Sequence, residues 1–456
     1  VRSRGLGDVY KRQHGREVVM NSIPKGYKKT EVGVIPDDWE IKKLGDFSSF
    51  QNGIGFPIRY QGKQNGDLPF CKVSDMNLVG NEVYITRSNN YISYEEACIM
   101  NAPIVPHNSI IFAKVGAALL LNRRRIAKCK ICVDNNMMAL ILDKCVNLYF
   151  IYQKLITIDF ADYAQEGALP SINSSQISKI SIAVPPLPEQ KAIAEVLSDM
   201  DALIEAQKEL IAKKRDIKQG AMQDLLSGRV RLPGYETKGW KHTDIGDIPD
   251  DWEVKKLGEE GVFLTTSSYT RSELKEYGDV ACIHYGDIHT RFHTWLDCSS
   301  TELPMISKDM VKQYPYLKNG DLVIADASED YEGLGDCVEI CNIDSRLCIG
   351  GLHTIVYRAK PGLFAPSYIG LLRNLQVVRN QLVSQAVGTK VYSLTNSMIG
   401  SILVLVPSLL SEQQAIAEVL SDMDNEIETL EAELEKLNHM KRGMMQELLT
   451  GRIRLI

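Results

Sequence analysis

A long internal duplication governs what this chain can fold into. Residues 30–45 read TEVGVIPDDWEIKKLG, and residues 243–258, 213 positions later, read TDIGDIPDDWEVKKLG. A second pair, EQKAIAEVLSDMD at 189–201 and EQQAIAEVLSDMD at 412–424, recurs at a spacing of 223, which QDLLSGRVRL from Gln223 and QELLTGRIRL from Gln446 also keep. A repeat of this size dictates architecture before any local pattern does. Between the anchors only traces survive, such as VSDM around Asp75 against YGDI around Asp287, and NSIIF from Asn108 against GDLVI from Gly320. One frame carrying two different surfaces is the pattern of paired modules that read different ligands.

The divergent middles are dense in short apolar runs broken by Gly, Asn, Asp and Pro (YITRSNNYIS, SIIFAKVG, KISIAVPP, SILVLVPS), which predicts β structure with short helices such as 366–381. The repeated ends are helical. From Ile416 the apolar positions step by four and three through Leu420, Met423, Ile427, Leu430, Leu434 and Leu437 to Lys441, Met444 and Leu448, a heptad seam. The first copy runs Ile193, Leu197, Met200, Ile204, Gln207, Ile211, Lys214, Lys218, Ala221, Leu225, the same seam with polar interruptions. Met200, Met222, Met423 and Met444 are expected in the helical core. Neither Pro nor Gly interrupts either stretch before Gly220 and Gly443. A helix over 189–227 is about 58 Å long at 1.5 Å per residue. Two such helices can bury their seams on each other, and a pseudo-two-fold relation between the repeats makes them antiparallel, with the variable domains at opposite ends of a rod.

The expected fold is therefore α+β: two mostly-β domains with short helices, separated by two long antiparallel helices as a coiled coil. The divisions fall at a tail outside the fold (1–23, with Met20 a natural start after a patternless 1–19), a first variable domain (24–188), a first helix (189–228), a linker and second variable domain (229–411), and a second helix (412–456).

Net charge is −6 and the isoelectric point about 5.9, the wrong sign for a protein that wraps nucleic acid with its whole surface, so DNA contact must come from local basic clusters. No apolar stretch approaches the roughly 18 residues of a membrane span, which makes the cytoplasm the default. Ten cysteines in unrelated neighbourhoods read as reduced thiols. Cys129-x-x-Cys132, and Cys337, Cys341 and Cys348 with His353, could make zinc sets, but small buried cysteines in alternating apolar strands are the simpler account.

The motif series resembles the specificity subunits of Type I restriction-modification systems: W-x-x-x-x-LG at 39–45 and 252–258, the VPPLPEQKAIAEVL and VPSLLSEQQAIAEVL junctions, and the LLSGRVRL and LLTGRIRL ends. The resemblance covers nearly everything after residue 24. It implies two target-recognition domains reading the halves of a bipartite, asymmetric site on double-stranded DNA. The helices become the spacer and the docking platform for two modification subunits, which supply adenine methylation, alongside restriction subunits that translocate and cleave. S-adenosylmethionine, ATP and Mg belong to those partners, and this chain binds no cofactor. Where SLLSEQ replaces PLPEQ, Ser411 can act as N-cap. The chain carries no G-x-x-x-x-G-K-[ST] loop, no NPPF- or DPPY-like tetrapeptide and no H-E-x-x-H, as expected of a non-catalytic subunit. The competing readings are a coiled-coil scaffold that binds no DNA, and the specificity part of a fused restriction-methylation enzyme.

Phosphate contacts need Lys or Arg, and base readout needs polar or aromatic side chains on loops or helices that reach a groove. The first domain offers Arg59, Tyr60, Lys114, the run Arg123, Arg124, Arg125, and Ser171 and Asn173. Three consecutive arginines repel one another unless an anion is near; otherwise they are a solvated hairpin turn. The second domain offers Tyr269, Arg271, His289, Arg291, His293, Lys390 and Tyr392. For helix pairing or partner docking the seam supplies Ile193, Leu197, Met200, Ile204, Ile416, Leu420, Met423, Ile427, Leu430 and Leu434. Lys213, Lys214, Arg215 and Lys218 read as a solvated helix face, or as a band that tracks spacer DNA.

Overall fold

The computed structural model describes residues 23–165, 169–236, 239–292 and 294–455, so the tail at 1–19 and His293 lie outside the described residues. The chain forms two compact units: residues up to 207 joined by 433–456, and residues 208–432.

In the first unit a five-stranded sheet runs in the order Ser48–Asn52, Met137–Leu142, Ile110–Ala113, Arg124–Ala127, Tyr84–Ile85, antiparallel except at the last pair. The second unit repeats that order and that one parallel pairing with Gly261–Leu264, Thr354–Ala359, Leu322–Ala325, Cys337–Cys341 and Trp295–Asp297. Each unit also holds a three-stranded sheet, centred on Leu68–Cys71 or Val280–Ile283, and a strand pair beside its long-helix segments (Glu40–Lys43 with Ser181–Val184, Trp252–Lys256 with Leu403–Pro407).

The central strands are apolar at consecutive positions because both sheet faces are covered. Alternate side chains enter different cores. Ile110, Phe112, Met138 and Leu140 pack with Ile193, Leu197 and Leu448 of the long-helix segments, while Ile111, Met137 and Ala139 meet Cys71, Val105 and Ile131 behind the sheet. In the second unit Leu322, Ile324 and Tyr357 pack with Leu225, Ile416 and Leu420, and Val323, Ala325 and Val356 face the other core.

The long helices span Leu187–Leu226 and Leu410–Leu448. The first begins two residues before the expected Glu189; Pro188 falls in the opening turn, where its missing N–H costs nothing. The second begins at Leu410, so Ser411 lies inside the helix and is not its N-cap. The helix expected over 366–381 is instead a 3₁₀ turn, Ile369–Asn374, followed by an α-helix, Gln376–Gln385. Each unit contains one antiparallel pair of long-helix segments. In the first, Lys441 Nζ donates to Asp201 Oδ1 (2.6 Å) and Gln207 Nε2 to Glu433 Oε2 (3.3 Å). In the second, Lys214 meets Glu426 (2.6 Å), Arg215 meets Glu431 and Lys218 meets Asp424. Lys218–Asp424 and Asp201–Lys441 are the same contact in the two copies. Three of the four cations of the basic band are thus paired with the acidic second helix, while Lys213 is exposed. Along the seam Ile193, Leu197, Ile204, Ile211, Ile416, Leu420 and Ile427 are buried, and Met200, Met423, Leu430 and Leu434 half-buried.

The repeated anchors close each unit with the tail of the other copy. Arg454 Nε donates to Glu189 Oε1 (2.6 Å) and its Nη2 to Asp38 Oδ2 (2.7 Å), while the Trp39 indole N–H donates to Glu189 Oε2 (3.0 Å). In the second unit Arg231 holds Glu412 (2.5 Å) and Asp251 (3.0 Å), and Trp252 donates to Glu412 (3.3 Å). Just before each arginine the chain turns at Gly228 (φ 71°) or Gly451 (φ 73°), where a Cβ would sit 2.6 Å from Pro249 or Pro36. Only glycine fits both the left-handed backbone and the proline ring, which accounts for SGR and TGR.

No helix among the described residues is long and apolar enough to cross a membrane.

Candidate nucleic-acid interface

In the first unit the loop after Ile110–Ala113 brings Lys114 against the stretch at 169–173: Val115 bridges Ser171, and the Ile172 N–H donates to the Lys114 carbonyl (3.0 Å). Lys114 Nζ donates to Asn52 Oδ1 (2.6 Å), and partial burial lowers its pKa. Asn173 caps Ser174–Ile177, its side chain accepting from the Gln176 N–H (3.0 Å), so its oxygen is already committed. Arg59 and Tyr60 stand apart from this group on the turn Ile58–Tyr60, with the guanidinium 4.8 Å over the Tyr60 ring.

The arginine run is not a hairpin turn. Arg124 begins the strand Arg124–Ala127, and strand alternation sends its side chain inward on the face of Ile126. It is 1% exposed, stacks 3.9 Å over Phe160 and donates to the carbonyls of Ile158 (2.9 Å) and Asn122. Burial pushes its pKa down to about 10. Arg124 is a core strut and leaves the set of DNA contacts. Arg125 is half-buried and donates to the carbonyls of Met76 (2.9 Å) and Arg124 (2.7 Å), and Arg123 donates to Asn77.

In the second unit the strand Tyr392–Ser393 pairs with Ala327–Ser328 and so docks the hairpin bearing Lys390 onto the loop at 327–333. Tyr392 stacks on Tyr331 with ring centroids 4.1 Å apart. Beside them opens a cavity of about 690 Å³ whose wall includes Tyr285, His289, Ser328, Asp336 and His353. His289 Nδ1 faces Asp336 Oδ2 (2.8 Å) and Nε2 faces the Ala327 carbonyl (2.9 Å), so both ring nitrogens meet acceptors and its pKa rises. Arg271 and Arg291 are grouped elsewhere, and Tyr269 packs against Tyr314. Arg271 and Arg291 both donate to the buried Asp287 carboxylate, and Tyr269 OH donates to the Met310 carbonyl (2.6 Å).

Sequence reasoning missed Tyr285, Ser328 and Tyr331, and weighed His353 only beside the cysteines of a zinc set. Tyr285 begins the surviving trace YGDI, but Ser328, on the two-residue strand Ala327–Ser328, and Tyr331, in the loop after it, lie where the pattern carries no signal. Cys132, Cys337 and Cys348 are buried in strands, and among the described residues no group of three His, Cys, Asp or Glu could hold a metal ion.

A family model described as Type I restriction modification DNA specificity domain matches residues 36–213 and again 249–439, one match to each repeat. The chain belongs to the Type I restriction-modification DNA specificity family. Among similar proteins are two from Methanocaldococcus jannaschii. The Type I restriction enzyme MjaVIII specificity subunit is 26% identical over 428 residues, covering 92% of this chain and 94% of that one. The putative MjaX specificity subunit is 28% identical, covering 94% and 97%. The Type I S subunit from M. genitalium has the same fold at 14% identity, with a TM-score of 0.52 over 90% of this chain and 96% of that one. As a specificity subunit the chain is a non-catalytic DNA-recognition component, and the two units are its two specificity domains.

Proposed function

We propose that each unit reads one half of a bipartite, asymmetric DNA site, and that the long-helix segments set the spacing between half-sites and dock two modification (adenine methyltransferase) subunits and the restriction subunits. Partner subunits would carry S-adenosylmethionine, ATP and Mg, and the complex would work in the cytoplasm. The observation that carries this reading is the contrast inside a shared frame. Equivalent loops at 114–116 with 169–173, and 327–333 with 386–393, sit on identical strand orders but present Lys114 and Ser171 in one unit and the Tyr331–Tyr392 stack with His289 in the other. A symmetric site would need no such difference.

The test is exchange. Residues 46–188 are replaced by the matching stretch of another family member, and the methylated sites of a host expressing the system are sequenced. One half-site is expected to change with the other intact, and lengthening the helices should change the spacer alone. Changes in both half-sites, or in neither, would remove the assignment of one domain to each.

A further inference from the structure

The second unit has two cavities of opposite charge, both built on the short helix Tyr285–Thr290. The helix gives Tyr285 and His289 to the cavity of about 690 Å³, and its C-cap, Arg291, to another of about 730 Å³. The larger cavity is lined by four cations (Arg271, Lys275, Arg291, Arg346) against two acids, Glu276 and Glu302. The smaller has four acids (Glu329, Asp330, Glu332, Asp336) against Arg373 and Arg379, with Asp336 paired to Arg373 (2.6 Å) and to His289 (2.8 Å), together with the Tyr285 and His353 rings.

Asp287 organises the cationic cleft from behind. Its side chain is 4% exposed and accepts from Arg271 and from Arg291 (3.3 Å), whose side chains are still 55% and 43% exposed. Arg291 is held further by the Glu302 carbonyl (3.1 Å). Two arginines anchored in this way, beside Lys275, lose little further side-chain freedom when they meet an anion. A phosphodiester suits such a cluster. An acidic cavity repels phosphate but accepts hydrogen bonds from the exocyclic amino groups of adenine and cytosine, which the major groove exposes.

We infer that the second domain divides its DNA contact between these cavities: the Arg271–Arg291 cleft seats a backbone phosphate, and the Tyr285–His289 cavity accepts from base amino groups and alone carries sequence. This rests on the DNA-reading function proposed above. Among the described residues the first domain has no counterpart of the clamp. Asp75, at the position of Asp287, accepts instead from Ser88 (3.0 Å) and Asn89 (2.9 Å).

The experiment uses the full chain assembled with its modification subunits. Binding to a cognate duplex, and to the same duplex with either half-site scrambled, is titrated against salt. Replacing Lys275 or Arg271 by Gln is expected to weaken all three duplexes by a common factor of about 5–10 at 0.1 M salt and to lower the slope of log K against log salt by about 0.9 for each phosphate no longer neutralised, with the methylated sequence unchanged. Arg271→Lys should recover most of that slope, which separates charge from fold, and exposed Lys275 serves if Arg271→Gln fails to fold. His289→Gln should weaken the cognate duplex only, leave the slope intact and relax one half-site. A Gln variant of the cleft that alters sequence choice at constant slope, or that changes neither affinity nor slope, overturns the division. Absence of salt-dependent binding by the unsubstituted complex overturns the DNA-reading function itself, a different outcome.

Discussion

The two units share a strand order and an anchoring scheme but differ in what they bury. At one sheet position the first unit places Ile126, and the second places Glu339, a carboxylate 1% exposed that backbone groups hold in place of a cation. Glu339 accepts from the backbone N–H groups of Ser367 (2.6 Å) and Gly370 (3.0 Å), and burial raises its pKa to about 7. The first unit buries Arg124 against Phe160 where the second has Cys337. Divergence therefore reaches into the cores. The frame tolerates it because each of these buried charged groups is met by carbonyls or N–H groups of its own unit, and no partner is needed from the repeated anchors.

The anchors themselves are not equal, and this supports the strongest prediction. Arg231 and Glu412 have side chains 6% and 1% exposed, whereas Arg454 and Glu189 are at 22% and 5%. Removing one partner of a buried pair strands the other charge, at about 3–5 kcal/mol. Glu412→Ala is expected to cost that amount and Glu189→Ala less, read by urea unfolding followed through Trp252 and Trp39, which touch these carboxylates. Equal losses would mean that the two clasps are energetically the same.

Glu339 gives the second prediction. The folded chain keeps this proton up to about pH 7, whereas the unfolded chain releases it near the ordinary value of 4.5, so the contribution of Glu339 to stability is full below about pH 4.5 and is lost as pH rises to about 7. The loss is on the order of 3 kcal/mol. Glu339→Gln should flatten that slope in denaturant titrations across the window, and an unchanged slope would assign it to other groups.

The smallest effect concerns the matched helix glycines. Gly220 and Gly443 are exposed, and a Cβ at either meets nothing within 4 Å. Each Gly→Ala change should stabilise by about 0.5–1 kcal/mol in thermal melts, to the same extent in both copies. If either variant became more stable but assembled poorly with modification subunits, that glycine would mark a close helix approach.

The sequence carried the repeats, the seam and the β middles because each rests on periodicity or on direct self-comparison. It misled where a residue's environment comes from far along the chain. Three arginines in a row resemble a turn until the strand partners of 124–127 place the middle one inside. Lys214, Arg215 and Lys218 resemble a solvated face because their acids lie more than 200 residues away. The two cavities escaped notice because they join loops separated by unpatterned stretches, and only a trace such as YGDI connects them to the first domain.

The clasp residues Trp39, Glu189, Trp252, Glu412, Arg231 and Arg454 all lie outside the divergent stretches. Exchanging the stretch between two such segments would keep the Arg454–Glu189 and Arg231–Glu412 clasps, but each incoming stretch must remake the contacts it gives the helices, such as Lys154 Nζ to the Leu449 carbonyl (2.9 Å) and the Tyr149 hydroxyl to Asp201.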